Sequence, residues 1–472
     1  MDEVKKQSPQ GIIFSGGPSS VYEETAPHVD RKIFDSKIPI LAICYGQQLT
    51  AYLLGGDVKL GKKREDGPAT LAINISSPIL ESVFQHSRVW MSHGDEVISP
   101  PPGFSFIAET ETVKGAAMSN EKKKIYCVLF HPEVEHTEHG IVVLRNFIER
   151  ICKIKIEKQR ISLSDMIRVI KDKVGDKKVL AAVSGGLDST VAAILVAKAI
   201  GDNLIPVHVE SGLMRKGTTN RVKDFFENHL KIKPVILYKE EEFLNSLKGK
   251  IDPEDKRKAI GKLYIDLFEE EIKNHTNVGF LAQGTIYSDV IESKGSKHAA
   301  NIKSHHNVGG LPDYLSLELI EPIRNLYTDQ VRDLAKKLGI PKEFITQQPH
   351  PGPGFAIRII GVVTKGRLSV IQKADEIVVE EMKKAKWYEK VIHSFPILTG
   401  IKSTSVKGDG RVYGEVVALR ILTSKDRMTA DWAKVPYDLL QKITSRITNE
   451  IPQVSRVVYD ITTKPPATME WE

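Results

Sequence analysis

The chain has 472 residues, 41% of them hydrophobic and 27% charged, which is ordinary globular material in an amount that suggests about three domains. Its net charge of +7 comes from basic residues interleaved with acidic ones, without an arginine-rich tract, so no nucleic-acid partner is expected and a mildly basic surface suits anionic nucleotides. No apolar run approaches the roughly 18 residues of a membrane span, so no membrane association is expected either.

The opening stretch MDEVKKQSPQ has no apolar h-region and does not read as a signal peptide. Gly11 to Phe14 (GIIF) is a short strand leading into SGGPSS, a tight turn whose backbone N–H groups suit an oxyanion hole. Ile38 to Ile43 (IPILAI) is the next strand, followed by Cys44-Tyr45-Gly46 and a helical run QQLTAYLL closed by Gly55-Gly56. A cysteine pinned between a buried strand and a helix start sits at a nucleophile elbow, where the helix N-terminus favours the thiolate and a lowered pKa is expected. Taken alone, Cys44 is as well explained as a buried structural cysteine. A third strand, Ile125 to Phe130, runs into His131-Pro132-Glu133. Residues i and i+2 of an extended chain share a face, so Glu133 can orient His131 as the base toward Cys44. Cys127 reads as core packing, and a helix over Gly140 to Ile151 closes the module. The spacing of Cys44, Cys127 and Cys152 fits neither zinc nor a disulfide framework, which makes a reducing cytoplasm the expected location.

ILAICYGQQLTAYLLGG, VWMSHGDEV and VLFHPEVEHT resemble the three signature blocks of class I (triad) glutamine amidotransferases. The resemblance implies that Cys44 forms a γ-glutamyl thioester, that His131 and Glu133 complete the triad, and that Gly17 and the Tyr45 N–H are oxyanion donors. Family members begin with a strand, a helix and a second strand ahead of the SGGP turn, whereas this chain starts just before it. The first β-α-β is thus expected to be missing from a domain spanning 1–152, with lowered stability and poor glutamine hydrolysis.

After a charged linker (153–163), Ser164 is placed to cap a helix over Asp165 to Val174. Val179 to Val183 is a strand, Ser184-Gly185-Gly186 a turn, and Ser189 to Ile200 a helix ending at Gly201. Strand, glycine turn and helix form an anion-binding arrangement, although an ordinary strand-to-helix turn has the same outline. The lysine of a Walker A loop is absent, and Asp188 beside a phosphate turn calls for a cation, so Asp188 is expected to help hold Mg2+ with ATP. Ser-Gly-Gly-x-Asp-Ser/Thr resembles the pyrophosphate loop of N-type ATP pyrophosphatases. That implies ATP binding by Ser184, Gly185, Gly186, Leu187, Asp188, Ser189 and Thr190, and cleavage between the α- and β-phosphates. Leu204 to Val209 is the next strand, and Glu210-Ser211-Gly212 follows at the ligand end of a parallel sheet. Asp252-Pro253 starts a long helix through Asn274; its patch Lys256-Arg257-Lys258 has the usual look of a solvated face, whereas the phrase DPEDKRKAIG resembles a family block whose arginine, here Arg257, contacts the nucleotide substrate. Gly279 to Gly284 is a strand, with Asp289 and Glu292 close behind. Lys303 to Pro312 (KSHHNVGGLP) reads as a lid over ATP, since two adjacent histidines are a weak metal signal.

In the last third, helices are expected over Thr328 to Leu338, Leu368 to Trp387 and Pro436 to Glu450. QQPHPGPGFAIR reads as a rigid loop, SVKGDGRVYGEVVALRIL as a hairpin, and Val454 to Ile461 as a strand. GTIYSDVIES, SHHNVGGLP, HPGPG, KGDGR and SRVVYDITTKPPATMEWE together resemble the glutamine-hydrolysing GMP synthetase family. The resemblance implies that Arg257, Lys464 and Glu470 bind XMP and that a homodimer forms through the last domain. The fold class expected is α/β: two open α/β sheet domains, the second an ATP pyrophosphatase over 164–346, followed by a small α+β domain over 347–472. The substrates implied are XMP, ATP and glutamine. An ATP pyrophosphatase acting on tRNA or an amino acid, and a non-catalytic nucleotide- or RNA-binding protein, are the competing readings.

Overall fold

The computed structural model describes residues 1–156, 162–294, 317–424 and 429–472. They form two compact units. The first holds the described residues within Met1–Arg160, Met428–Ala430 and Thr463–Thr468, and the second holds those within Ile161–Arg427, Asp431–Thr462 and Met469–Glu472.

The first unit is built on a seven-stranded sheet in the order β1-β2-β7-β6-β5-β3-β4, where β1 is Ile12–Phe14, β2 Ile40–Ile43, β3 Asp57–Ile73, β4 Ser87–Ser99, β5 Ser105–Glu109, β6 Ala117–Asn120 and β7 Ile125–Val128. β1, β2 and β7 are parallel, and the remaining pairings are antiparallel. β2 (ILAI) and β7 (IYCV) are buried at every residue, as expected of parallel strands covered on both faces. Their side chains alternate between two cores: Leu41 and Ile43 pack into one, Ile40 and Ala42 into the other. The helix expected over Gly140 to Ile151 is α-helical only for Gly140–Arg145 and continues as π-helix over Asn146–Ile151.

The second unit contains a five-stranded, wholly parallel sheet in the order β10-β9-β8-β11-β12. Here β8 is Lys178–Ala182, β9 Leu204–Glu210, β10 Val235–Tyr238, β11 Val278–Ala282 and β12 Glu318–Ile320. β8 is the central strand, and the loop after it emerges between the carboxyl ends of β9 and β11. The helix before it is Leu163–Val174, capped by Ser162 and not by Ser164: the Ser162 hydroxyl accepts from the Asp165 N–H at 3.2 Å. A second sheet joins β13 (His393–Lys407) and β14 (Gly410–Thr423) as the expected hairpin, with β15 (Asp431–Trp432) antiparallel and β16 (Val454–Asp460) parallel to β14. One hydrophobic core of this unit joins Val209, Phe243 and Ile260 to Ile371, Val378, Leu419 and Ile443, and a second packs Val179 and Ala181 of β8 against Val191, Ile194 and Val331. No helix among the described residues is long and apolar enough to cross a membrane.

Candidate active sites

β2 delivers the chain to Cys44, the N-cap of the helix Tyr45–Leu54. Cys44 has φ 51° and ψ −107°, a strained conformation for a residue with a side chain and one that turns the thiol out of both flanking elements. The turn is held by close packing: a Cβ at Gly46 would fall 2.6 Å from the Phe14 carbonyl oxygen on β1. His131 follows β7 and is fixed from two sides. Its backbone N–H donates to the Trp90 carbonyl at 3.0 Å, and its Nδ1–H donates to Glu133 Oε1 at 2.7 Å. Nε2 is buried without a hydrogen-bond partner, and the Cys44 thiol donates to the Ser92 carbonyl at 3.5 Å. Burial alone would lower the pKa of His131, but the neighbouring Cys44 and the hydrogen-bonded Glu133 outweigh it and push the value up to about 10. Gly16 lies over the pair, where a Cβ would stand 2.9 Å from His131 Cε1. Tyr45 is the first helical residue, so its N–H has no intrahelical acceptor, and Gly17 packs beside the Tyr45 ring. A thiol, an imidazole that can take its proton and hold it as the imidazolium, and free amides in this arrangement suit acyl transfer through a thioester. Cys127 is fully buried in β7 and burial pushes its thiol pKa far up, as core packing requires.

In the second unit a cavity of about 500 Å³ opens at the carboxyl end of β8, a volume typical of a small-ligand site. Ser184 to Ser189 form one wall. Gly185 has φ +85°, and a Cβ there would meet Thr218 at 2.5 Å. The loop is tied internally: Ser184 Oγ accepts from the Gly186 N–H at 3.3 Å, and the Ser189 hydroxyl donates to the Gly186 carbonyl at 3.2 Å. The helix begins at Leu187, so the N–H groups of Leu187, Asp188 and Ser189 lack intrahelical acceptors and make an anion site. Arg215, Arg257 and Arg332 reach the cavity, with Asp188, Asp289 and Glu470. Arg215 is clamped by Asp375 at 2.8 and 3.1 Å. Glu470 is held by the fully buried Arg358 at 2.9 and 2.7 Å, and Arg358 Nη1 donates to His350 Nδ1 at 3.3 Å. Burial and the charges of Arg358 and Arg215 hold the His350 pKa well below its usual range, so the ring stays neutral. Among the described residues no group of three or more His, Cys, Asp or Glu could form a metal cage. Mg2+ bound with a nucleotide uses one or two carboxylates and takes its other ligands from phosphate and water, a requirement that Asp188 fits.

A family model described as glutamine amidotransferase class-I matches residues 1–151, and one described as GMP synthase C terminal domain matches residues 380–471. The GMP synthase [glutamine-hydrolyzing] of Caldanaerobacter subterraneus subsp. tengcongensis is 48% identical over 100% of this chain and 92% of its own length. The chain belongs to the glutamine-hydrolysing GMP synthase family. The Clostridium botulinum (strain Kyoto) GMP synthase [glutamine-hydrolyzing] is 47% identical, again over 100% of this chain and 92% of the relative. A solved NH3-dependent NAD synthetase from Campylobacter jejuni matches with 17% identity and a TM-score of 0.31, over 47% of this chain and 85% of that one.

This GMP synthase family member brings Cys44, His131 and Glu133 together with Gly17 and Tyr45. It also brings Ser184 to Ser189, Arg257 and Glu470 to one cavity. Thr190 is turned into the core, its hydroxyl donating to the Gly186 carbonyl at 2.8 Å. Lys464 belongs to the first unit, where its N–H and carbonyl pair with Ala430. Glu210 and Ser211 brace their own turn: Glu210 Oε1 accepts from the Gly212 N–H at 3.1 Å, and Ser211 Oγ from the Leu213 N–H at 3.3 Å. Lys256 is buried, so the 256–258 patch is not a uniformly solvated face. The side chain of Glu292 and the segment Lys303 to Pro312, with its histidines and expected lid, lie outside the described residues. Sequence reasoning missed Arg215, Arg358 and Gly284. A Cβ at Gly284 would stand 2.5 Å from the Ser189 nitrogen, and a glycine two residues past the end of a strand was a usable signal for such a close approach.

Proposed function

We propose that this enzyme converts XMP to GMP with ATP and glutamine-derived ammonia, releasing AMP, pyrophosphate and glutamate. Membership of the GMP synthase family and one cavity that joins an anion loop to Arg257 and Glu470 carry this reading. In the first unit His131 takes the Cys44 proton, Cys44 Sγ attacks the glutamine γ-carbonyl, and Gly17 and Tyr45 N–H groups receive the oxyanion. His131, raised toward the imidazolium, gives its proton to the departing ammonia, and water then hydrolyses the thioester to glutamate. In the second unit the XMP 2-oxo oxygen attacks the α-phosphorus of ATP and pyrophosphate leaves. Ammonia then attacks C2, and AMP departs in place of an oxygen that alone is a poor leaving group. The amides at the start of the helix Leu187–Ile200 hold the departing pyrophosphate. Mg2+, held by Asp188, would supply positive charge for the phosphates. Arg257 and Glu470 are the proposed XMP contacts in this cavity.

The organisation proposed is a glutaminase domain at 1–152, a linker at 153–163, an ATP pyrophosphatase domain at 164–346 and an XMP-binding domain at 347–472. The last is also the proposed homodimer surface, which the exposed Ile401, Val406 and Tyr413 on the β13–β14 hairpin support. Three free cysteines suit the cytoplasm as its location. The test uses glutamine or ammonium as donor. Cys44→Ala is expected to lose glutamine-dependent synthesis and keep the ammonia reaction, and Asp188→Ala to lose both. XMP-independent pyrophosphate release, or orthophosphate in its place, would refute the reading.

A further inference from the structure

The helix Pro253–Ile272 places a lysine, Lys256, in its first turn with no exposed surface. Both circumstances oppose the charge. A cation near a helix N-terminus meets the positive end of the macrodipole, and a buried ammonium loses its hydration. Its partners explain where it is spent. Nζ donates to the Ala356 carbonyl at 3.3 Å, to the Ile359 carbonyl at 2.8 Å, and to Glu472 Oε2 at 2.5 Å. Ala356 and Ile359 bracket Arg358, whose guanidinium grips Glu470. Glu472 lies two residues beyond Glu470, and Arg257, the next residue on the helix, lines the cavity. One buried ammonium therefore fastens three segments together: the helix that presents Arg257 to the cavity, the segment whose Arg358 grips Glu470 from behind, and the tail that presents Glu470.

The rest of the tail is seated as firmly. The Met469 carbonyl accepts from Arg420 Nε at 3.0 Å, and Trp471 Nε1–H donates to Asp460 Oδ2 at 2.9 Å. Arg420 and Asp460 are themselves paired at 2.6 Å. The Glu472–Lys256 contact differs from these two. It ties the tail to the helix carrying Arg257, whereas Arg420 and Asp460 belong to the β14 and β16 side.

We infer that Lys256 is a positioning residue for the nucleotide cavity, acting through Arg257, Arg358 and Glu470, and that Glu472 holds it in that role. The inference rests on the proposal that Arg257 and Glu470 contact XMP. It makes the cavity's XMP side complete only when the tail carboxylate is seated on Lys256, while the ATP loop on β8 is independent of that contact.

The test uses the full chain with ammonium as nitrogen donor, so that the thiol site plays no part. Glu472→Gln removes the charge with little change of shape, and Glu472→Asp keeps the charge on a shorter arm. For Glu472→Gln the expected result is a rise in KM for XMP of about tenfold or more, with KM for ATP unchanged and kcat at saturating XMP within about threefold. Glu472→Asp should recover part of the loss. A folded Glu472→Gln protein with wild-type KM for XMP would overturn the inference, and so would equal rises for XMP and ATP, which mark general loosening. Lys256→Met is the second variant, read by the same ratio of the two KM values with its melting temperature measured alongside. A wild-type enzyme that does not use XMP at all would instead defeat the underlying functional reading, so the two failures are distinct.

Discussion

Gly284→Ala tests how tightly the sheet positions the anion loop. An added Cβ would stand 2.5 Å from the Ser189 nitrogen, 2.6 Å from the Asp188 carbonyl carbon and 2.7 Å from Ser189 Cα. All three are backbone atoms of the first helical turn, so no flexible side chain can swing away. Ordinary contact begins at 3.4 Å, and strand and loop must part by roughly 1 Å. Overpacking of this kind costs about 1–3 kcal/mol. If about 2 kcal/mol of it is carried by the loop's ATP-bound geometry, the ammonia-dependent rate falls about 30-fold. The assay is pyrophosphate release with XMP, ATP and ammonium, beside glutaminase activity, which reports on the other unit and should be unchanged. Gly366→Ala is the control. It has no atom within 4 Å of the added Cβ and lies in the helix Lys365–Lys384, so it should be neutral or stabilise by about 0.4–1 kcal/mol. Wild-type kcat and KM for ATP in Gly284→Ala would refute the claim that this contact sets the loop.

Two further predictions concern charge. His131 titrates at about 10 against an ordinary 6.5, so its protonation stabilises the fold fully below pH 6.5 and the contribution is lost as pH rises through about 10. Glu133→Gln keeps an oxygen that accepts from Nδ1–H but removes the negative charge that favours the imidazolium, and should lower the midpoint, read by NMR of the imidazole, by about one unit or more; an unchanged midpoint contradicts the assignment. Glu381 is buried, which alone would raise its pKa, but Arg446, Lys384 and Lys442 hold it down to about 2 against 4.5. Its contribution is present above pH 4.5 and lost as pH falls through about 2. Glu381→Gln should therefore lower the melting temperature at pH 7 and flatten its acid dependence; parallel curves for the two proteins would count against the cluster.

The elements around both sites were legible in the sequence because each is a short run with its own punctuation. β2 is apolar throughout and β8 is apolar after Lys178, Gly201 ends the helix after the anion loop, and Asp252 caps its helix by accepting from the Glu254 and Asp255 N–H groups. The long antiparallel strands β3 and β4 were not assigned. β3 contains KKREDG, where charge masks the alternation that half-buried strands display, and its burial is supplied by partners distant in sequence. Lys256 was misjudged for a related reason. A lysine among lysines and arginines looks solvated, and only Glu472, 216 residues later, reveals why it is not.

Glu470 shows why removing a proposed ligand does not by itself measure ligand binding. Arg358 has no exposed surface, lies 3.9 Å over the Phe395 ring, and spends Nε and Nη2 on Glu470. Glu470→Ala strands that guanidinium, and breaking a buried pair in this way costs about 3–5 kcal/mol before XMP is considered. Glu470→Gln keeps the shape but turns an amide NH2 toward a donor, at about 1–3 kcal/mol. Both single variants should therefore melt lower and bind XMP worse, whatever Glu470 does for XMP. Arg358→Met combined with Glu470→Gln removes the stranded charge and separates the causes. If Glu470 contacts XMP directly, the double variant regains most of its melting temperature but keeps a raised KM for XMP. Recovery of both would reduce Glu470 to the counter-ion of Arg358 and remove it from the nucleotide site.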